Sequence, residues 1–173
     1  MSQRISHRVA ALVLLAGFLA LAVTPGWAGP KDAEAKKYTE QLKASKDPKV
    51  RAQAIEEIGK LAQIHKKLGE AAVGDIKKAL SDKDVGVRKA AALAYGRCDP
   101  DDSDAVASLV AVLKNDKEES VKTNAALGLA AMGEKAQSAL PALREAIKGT
   151  ENKKSERTYK DAARSIAPAK KKT

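Results

Sequence analysis

The chain of 173 residues carries 32 Lys and Arg against 22 Asp and Glu, which gives a net charge of +10 at pH 7. One Cys excludes an internal disulfide, and one Cys with two His is too few for a zinc site of the usual composition. Aromatic residues make up only 3% of the chain, which argues against a surface that stacks nucleic-acid bases.

The N-terminal residues 1–28 show the three zones of a secretory signal peptide. Arg4 and Arg8 form a basic region, an uninterrupted apolar run covers 9–23, and small residues precede a predicted cut after Ala28. The pattern predicts export to a periplasm or out of the cell. A retained membrane anchor is the alternative, although the apolar run is shorter than the roughly 20 residues that span a bilayer.

Four stretches of similar sequence follow. We align them at Val50, Val87, Val121 and Thr158, because apolar or small residues recur at the same offsets beyond each of these positions. The offsets place those residues on one face of a helix. In three stretches an acidic residue precedes a basic one by four positions, which favours i,i+4 ion pairs. These pairs are Asp47 with Arg51, Asp84 with Arg88, and Glu118 with Lys122.

A second helical pattern occurs at 38–42, 76–80, 109–113 and 143–147, and a short polar turn follows each copy. A helix, a turn and a second helix, repeated about every 35 residues, predict an all-α solenoid of about three to four helical hairpins. The predicted divisions of the chain are a signal peptide at 1–28, a solenoid at 29–167 and a basic disordered tail at 168–173.

The sequence resembles the HEAT-repeat family, including the short bacterial form of the repeat associated with phycobilin lyases. The resemblance rests on the VR-x-x-A core at Val50–Ala54 and Val87–Ala91 and on the helix at Pro141–Gly149, and it covers residues 35–167. It implies a fold of stacked helical hairpins. It leaves the function open, because such repeats serve scaffolds, enzymes and nucleic-acid binders alike.

Residues with potential chemistry do not form a recognisable catalytic set. His65 lies in a polar context that suits a solvent-exposed side chain. Cys98 is expected to be a half-buried structural residue, because a free Cys usually behaves as a small hydrophobic side chain. The nearby acids raise the pKa of its thiol, which disfavours a role as nucleophile. The acidic cluster around it is typical of a solvated turn, with calcium binding as the alternative. That cluster comprises Asp99, Asp101, Asp102 and Asp104. We therefore predict no catalytic site, no metal site and no cofactor.

The surface of the second helices is the remaining candidate site. A solenoid binds partners on its concave face, which we expect the second helices to line. Their outward positions combine an apolar centre with basic flanks, namely Lys77, Lys78, Val110 and Arg144. These residues predict a non-enzymatic binding site for a protein or peptide, although solvated surface lysines are an equally good interpretation.

Two other functions stay open. The C-terminal end is basic, and Lys170, Lys171 and Lys172 favour contact with an acidic polysaccharide, an anionic lipid or nucleic acid. Nucleic acid is the least favoured of these because the chain is expected to be exported. The family resemblance also implies a bilin-lyase-like enzyme or its accessory subunit, for which no residue argues beyond the fold.

Overall fold

The computed structural model describes residues 29–100 and 104–167, and this part of the chain contains helices and no strand. The predicted signal peptide, the predicted basic tail, Asp101 and Asp102 lie outside the described residues. The helices are α1 (Pro30–Ala44), α2 (Pro48–Ile64), α3 (Lys67–Glu70), α4 (Val73–Ala79), α5 (Val85–Arg97), α6 (Ala105–Asn115), α7 (Glu119–Met132), α8 (Leu140–Gly149) and α9 (Lys153–Ile166). A 3-10 segment, Gly133–Ala139, joins α7 to α8.

Polar side chains set the start of the first helix in each repeat. Asp47, Asp84 and Asn152 accept hydrogen bonds from backbone amides in the first turns of α2, α5 and α9. These amides have no partner inside the helix, so the caps stabilise the helix starts. The backbone N–H of each N-cap residue in turn donates a hydrogen bond to the side chain that lies two residues earlier. The accepting residues are Ser45, Asp82, Asp116 and Thr150.

The last repeat is aligned three residues earlier than the sequence suggested. Ser155 occupies the position of Val121, because each lies three residues after the N-cap of its helix and each is buried. Thr158, the expected equivalent, is half-exposed. The alignment failed because Tyr159 replaces the small residue found at Ala125, and a polar residue replaces the preceding valine.

The first helices form a tightly packed layer. Helices α2, α5, α7 and α9 stack side by side, and α1, α4, α6 and α8 cover them as a second layer. A β-carbon added at Gly96 would overlap the backbone oxygen of Gly128. One added at Gly59 would lie 2.9 Å from the β-carbon of Ala94. The backbones of α2 and α5, and those of α5 and α7, are therefore in close contact.

The second layer is more open than the first. Clefts of about 400, 530 and 300 Å³ lie between α1 and α3, between α4 and α6, and between α6 and α8. Neighbouring helices of the second layer therefore lie farther apart than those of the first layer. That the second helices line the concave face stays a prediction. We call the second layer, which is the more open one, the outer layer. The predicted site residues Lys77, Lys78, Val110 and Arg144 lie on helices of the outer layer.

Arginines near the start of the first helices connect consecutive repeats. The Nη2 atom of Arg51 lies 2.9 and 3.1 Å from the two carboxylate oxygens of Asp82. Arg88 forms a second such pair with Asp116 in the next turn. These inter-repeat pairs take the place of the expected i,i+4 pairs, because the carboxylates of Asp47 and Asp84 cap their own helices.

The core between the layers is aliphatic, with two buried tyrosines. Its largest fully buried side chains include Tyr95, Tyr159, Ile55, Ile58, Ile76, Leu109, Leu129 and Leu143. Burial of this apolar surface is the main force that holds the two layers together. Among the described residues, no helix is both long enough and apolar enough to cross a bilayer.

Candidate functional site

The four predicted site residues share one layer but do not surround one pocket. Lys77 is half-exposed and lines the cleft between α4 and α6. Lys78 is exposed and lies 3.4 Å from the carboxylate of Asp75. Val110 is half-buried and packs against the core, while Arg144 is exposed on α8. The structure therefore places them in one layer, and of the four only Lys77 lines the cleft between α4 and α6.

The cleft between α6 and α8 contains a hydrogen-bonded carboxylate. Glu119 accepts hydrogen bonds from the Tyr159 hydroxyl at 2.8 Å and the Thr150 hydroxyl at 3.0 Å. Burial alone would raise the pKa of Glu119, but the hydrogen bonds from Tyr159, Ser155 and Thr150 outweigh it and lower that pKa. Burial, and then the contact with Glu119, raise the pKa of the Tyr159 hydroxyl. This network joins the last two repeats where the earlier ones use an Arg–Asp pair, so its role is structural.

Cys98 and His65 do not combine into a reactive pair. Cys98 is fully buried, deeper than expected, and burial raises the pKa of its thiol to about 12. The cause is desolvation and not the neighbouring acids, which the sequence had suggested. His65 is exposed at the C-terminal end of α2, as expected. A buried thiol with so high a pKa does not supply a thiolate nucleophile near neutral pH.

The acidic turn after α5 is used for ion pairing where it is described. Asp99 lies 2.7 Å from the amine of Lys135 and 3.6 Å from that of Lys66. Within residues 29–100 and 104–167, no group of three or more His, Cys, Asp or Glu side chains could hold a metal ion. The contribution of Asp101 and Asp102 lies outside the described residues.

The exposed side of the first layer carries an apolar strip that the sequence analysis missed. Leu93 of α5 and Leu127 of α7 occupy equivalent positions, nine residues after the N-caps of their helices. Leu127 is 40% exposed, and Leu93 is half-exposed. A groove of about 210 Å³ runs beside Leu93, and Ala90 and Ala94 contribute to its lining. The signal was visible in the sequence, because both leucines interrupt an otherwise polar helix face.

Three basic side chains and one acid, Glu56 of α2, border this groove. Lys60 reaches it from α2, but Lys60 is bound by Glu57 at 2.6 Å. Lys89 and Arg97 lie on α5, and neither forms an ion pair with another described residue. We call the apolar strip and these two basic residues the inner groove, which comprises Lys89, Ala90, Leu93, Ala94, Arg97 and Leu127.

Comparison with models of protein families matches residues 35–130 to the family described as HEAT repeats. The matched range covers more than half of the chain and extends from α1 into α7. A search of curated proteins found no match. The paired helices, the stacked layers and the repeated turns agree with the matched family, and the chain therefore belongs to the HEAT repeats family.

Proposed function

We propose that the chain is a non-enzymatic interaction module of the cell envelope that binds a segment of a protein on its first layer. We assign the concave face to this layer because its helices pack more closely than those of the outer layer. HEAT repeats generally serve as protein-interaction scaffolds. The observation that carries the proposal is the exposure of Leu93 and Leu127 side by side on the tightly packed first layer. An apolar strip with a polar border is typical of a surface that binds another protein.

The packing of the first layer suits such a role. Gly96 and Gly128 bring the backbones of α5 and α7 into contact, so the two leucines are fixed relative to each other. A preorganised surface loses little conformational entropy when a partner binds. Helices α5 and α7 occupy the middle of the layer, between α2 and α9.

The competing functions have weaker support. Basic residues of α9 are largely engaged by acids of the same helix, since Glu156 binds Lys153 and Lys160 while Asp161 binds Arg164. This pairing reduces the positive field that a polyanion would meet on α9. For a bilin-lyase-like activity, the described residues offer the helical fold but no additional feature that favours it.

Site-specific photo-crosslinking in the native cell tests the proposal. We expect a p-benzoylphenylalanine at Leu127 to form one major adduct with a protein. The same group at Ala107, which is exposed on α6 in the outer layer, serves as the control and should not form that adduct. Absence of an adduct at Leu127, or the same adduct at both positions, contradicts binding on the concave face.

The outer-layer site predicted from the sequence is tested with the same readout. Combined Lys77→Glu, Lys78→Glu and Arg144→Glu substitutions should leave the Leu127 adduct unchanged if the concave face is the binding surface. Loss of the adduct in this variant would instead assign binding to the outer layer. Cell fractionation provides the independent test of location, and recovery of the protein in the cytoplasmic fraction contradicts an envelope role.

A further inference from the structure

We infer that the inner groove binds an acidic amphipathic segment of a partner protein. Aliphatic side chains of the partner contact Leu93 and Leu127, and its carboxylates bind Lys89 and Arg97. This inference rests on the proposed function and specifies the chemistry of the partner. It follows from the spacing of side chains on α5 and from the contact between α5 and α7. It also follows from Lys89 and Arg97, which form no ion pair with another described residue.

Three residues of α5 place charge and apolar surface on one line. Lys89, Leu93 and Arg97 follow each other at intervals of four residues, so they lie on the same face of the helix. The eight steps from Lys89 to Arg97 correspond to about 12 Å along a helix that rises roughly 1.5 Å per residue. A partner that uses both cations therefore needs carboxylates on both sides of its apolar side chains.

The second leucine widens the apolar centre across the layer. Leu127 lies at the position of α7 that corresponds to Leu93 in α5, and these two helices are in backbone contact at Gly96 and Gly128. At the same position the flanking helices carry acids, namely Glu56 in α2 and Asp161 in α9. Because these two acids would repel an acidic partner, the apolar contact that Leu93 and Leu127 offer is limited to α5 and α7.

The charges indicate an acidic partner rather than a basic or neutral one. Lys89 is exposed, and neither it nor Arg97 has an ion-pair partner among the described residues. The stem of Arg97 lies over α2, where its Cδ atom comes 3.7 Å from the position that a β-carbon on Gly59 would take. Contact with α2 restrains the stem of Arg97, so less entropy is lost when its guanidinium binds a carboxylate.

The apolar floor argues against a nucleic acid in this groove. The residues that line it are aliphatic, amide or charged, and none of those residues is aromatic. Single-stranded nucleic acids are held mainly by base stacking on aromatic rings together with basic residues. An aliphatic floor instead favours aliphatic side chains, which lose water from the same kind of surface.

Selection from a library of random dodecapeptides displayed on phage tests the inference without the choice of a partner in advance. The target is the purified protein expressed from its full sequence. We expect the enriched peptides to combine Leu or Ile with two or more Glu or Asp. Failure to enrich any peptide, or enrichment of peptides without acids, contradicts the inference.

Variants of the groove then assign the binding site. With an enriched peptide labelled by a fluorophore, Lys89→Glu combined with Arg97→Glu should weaken binding at least tenfold, because carboxylates would then face carboxylates. The matched control is Lys77→Glu combined with Lys78→Glu, which makes the same charge change on the outer layer and should change the affinity less than twofold. Equal effects of the two double variants would overturn the assignment to the groove.

The roles of the acids and leucines are separated with two further reagents. A copy of the peptide with Gln in place of each Glu should bind at least tenfold more weakly, and Leu127→Ser should weaken both the peptide and its Gln copy. If heparin binds more tightly than the peptide and Leu127→Ser does not affect it, the groove is an anion site and the inference fails. Circular dichroism of each variant must match the parent, since all the altered side chains are at least partly exposed in the structure.

Failure of this inference and failure of the proposed function give different results. A Leu127 adduct that persists in the Lys89→Glu and Arg97→Glu variant supports the interaction module but contradicts an acidic partner. Absence of any Leu127 adduct contradicts the module itself, whatever peptides the library yields.

Discussion

Arg88 of α5 and Asp116 at the following turn form a paired contact, with Nε to Oδ2 at 2.7 Å and Nη2 to Oδ1 at 3.1 Å. The same carboxylate accepts the amide of Glu118, and the same guanidinium donates to the backbone oxygen of Asp82. One ion pair thus connects the turn before α5 with the turn before α7. Only 8% of the Asp116 side chain is exposed, so water screens the pair weakly.

We predict that Arg88→Lys destabilises the protein by about 1.5–3 kcal/mol, the usual worth of hydrogen bonds to charged groups. Lysine keeps the charge but does not reproduce the two parallel bonds of a guanidinium. Urea unfolding followed by circular dichroism measures the change. Lys114→Gln is the control, because its ion pair with Glu145 is exposed and such pairs are worth about 0.2–1 kcal/mol. Equal effects of the two substitutions would contradict a special role for Arg88.

Asp116 makes stability depend on pH in the acid range. The hydrogen bond from the Arg88 guanidinium holds the pKa of the Asp116 carboxyl below its usual value, although burial opposes this. A carboxyl whose pKa is lower in the folded state stabilises the protein above its unfolded pKa, about 3.9, and this stabilisation is lost as the pH falls through the folded pKa. Asp116→Asn should therefore be less stable than the parent at pH 7, and the difference should shrink at pH 2.5. A difference in the free energy of unfolding that is constant from pH 7 to pH 2.5 contradicts this.

The contact of α5 with α7 requires glycine at both helices. A β-carbon at Gly96 would overlap the backbone of Gly128, so Gly96→Ala should force the helices apart and cost about 1–3 kcal/mol or more. Gly74→Ala in α4 is the control, since a β-carbon there meets no atom within 4 Å. It should stabilise the helix by about 0.5–1 kcal/mol. Thermal unfolding of both variants measures the opposite signs, and a Gly96→Ala protein as stable as the parent would contradict the close packing.

The repeat pattern predicted the helical fold because its apolar offsets follow directly from helix geometry. Val50, Val87 and Val121 lie at equivalent positions in the first turn of their helices, as expected, and the polar turns lie where the sequence suggested. The last helix was aligned three residues too late, because Ser155 and Tyr159 replace the valine and alanine of the other repeats. An alignment on the turn residues, with Asn152 as the cap, would have found it.

The candidate site was harder to predict than the fold. Both helices of each hairpin have an apolar face, so periodicity does not reveal which layer packs more tightly. Gly59, Gly96 and Gly128 decide this by allowing backbone contact in the first layer. The polar faces of those helices contain Leu93 and Leu127, which become meaningful only when α5 and α7 are known to be adjacent.

Cys98 reports on the integrity of the hairpin that contains α3. We predict that its thiol reacts slowly with Ellman's reagent at pH 8 in the native protein and rapidly in denaturant. Burial raises its pKa from 9.0 to about 12, which lowers the thiolate fraction roughly a thousandfold. Gly69→Ala should accelerate labelling of the native state, because a β-carbon at Gly69 would lie 2.7 Å from the sulfur of Cys98. Gly74→Ala is again the control and should label like the parent. Rapid labelling of the native parent protein would contradict the burial of Cys98, and unchanged labelling in Gly69→Ala would contradict its contact with α3.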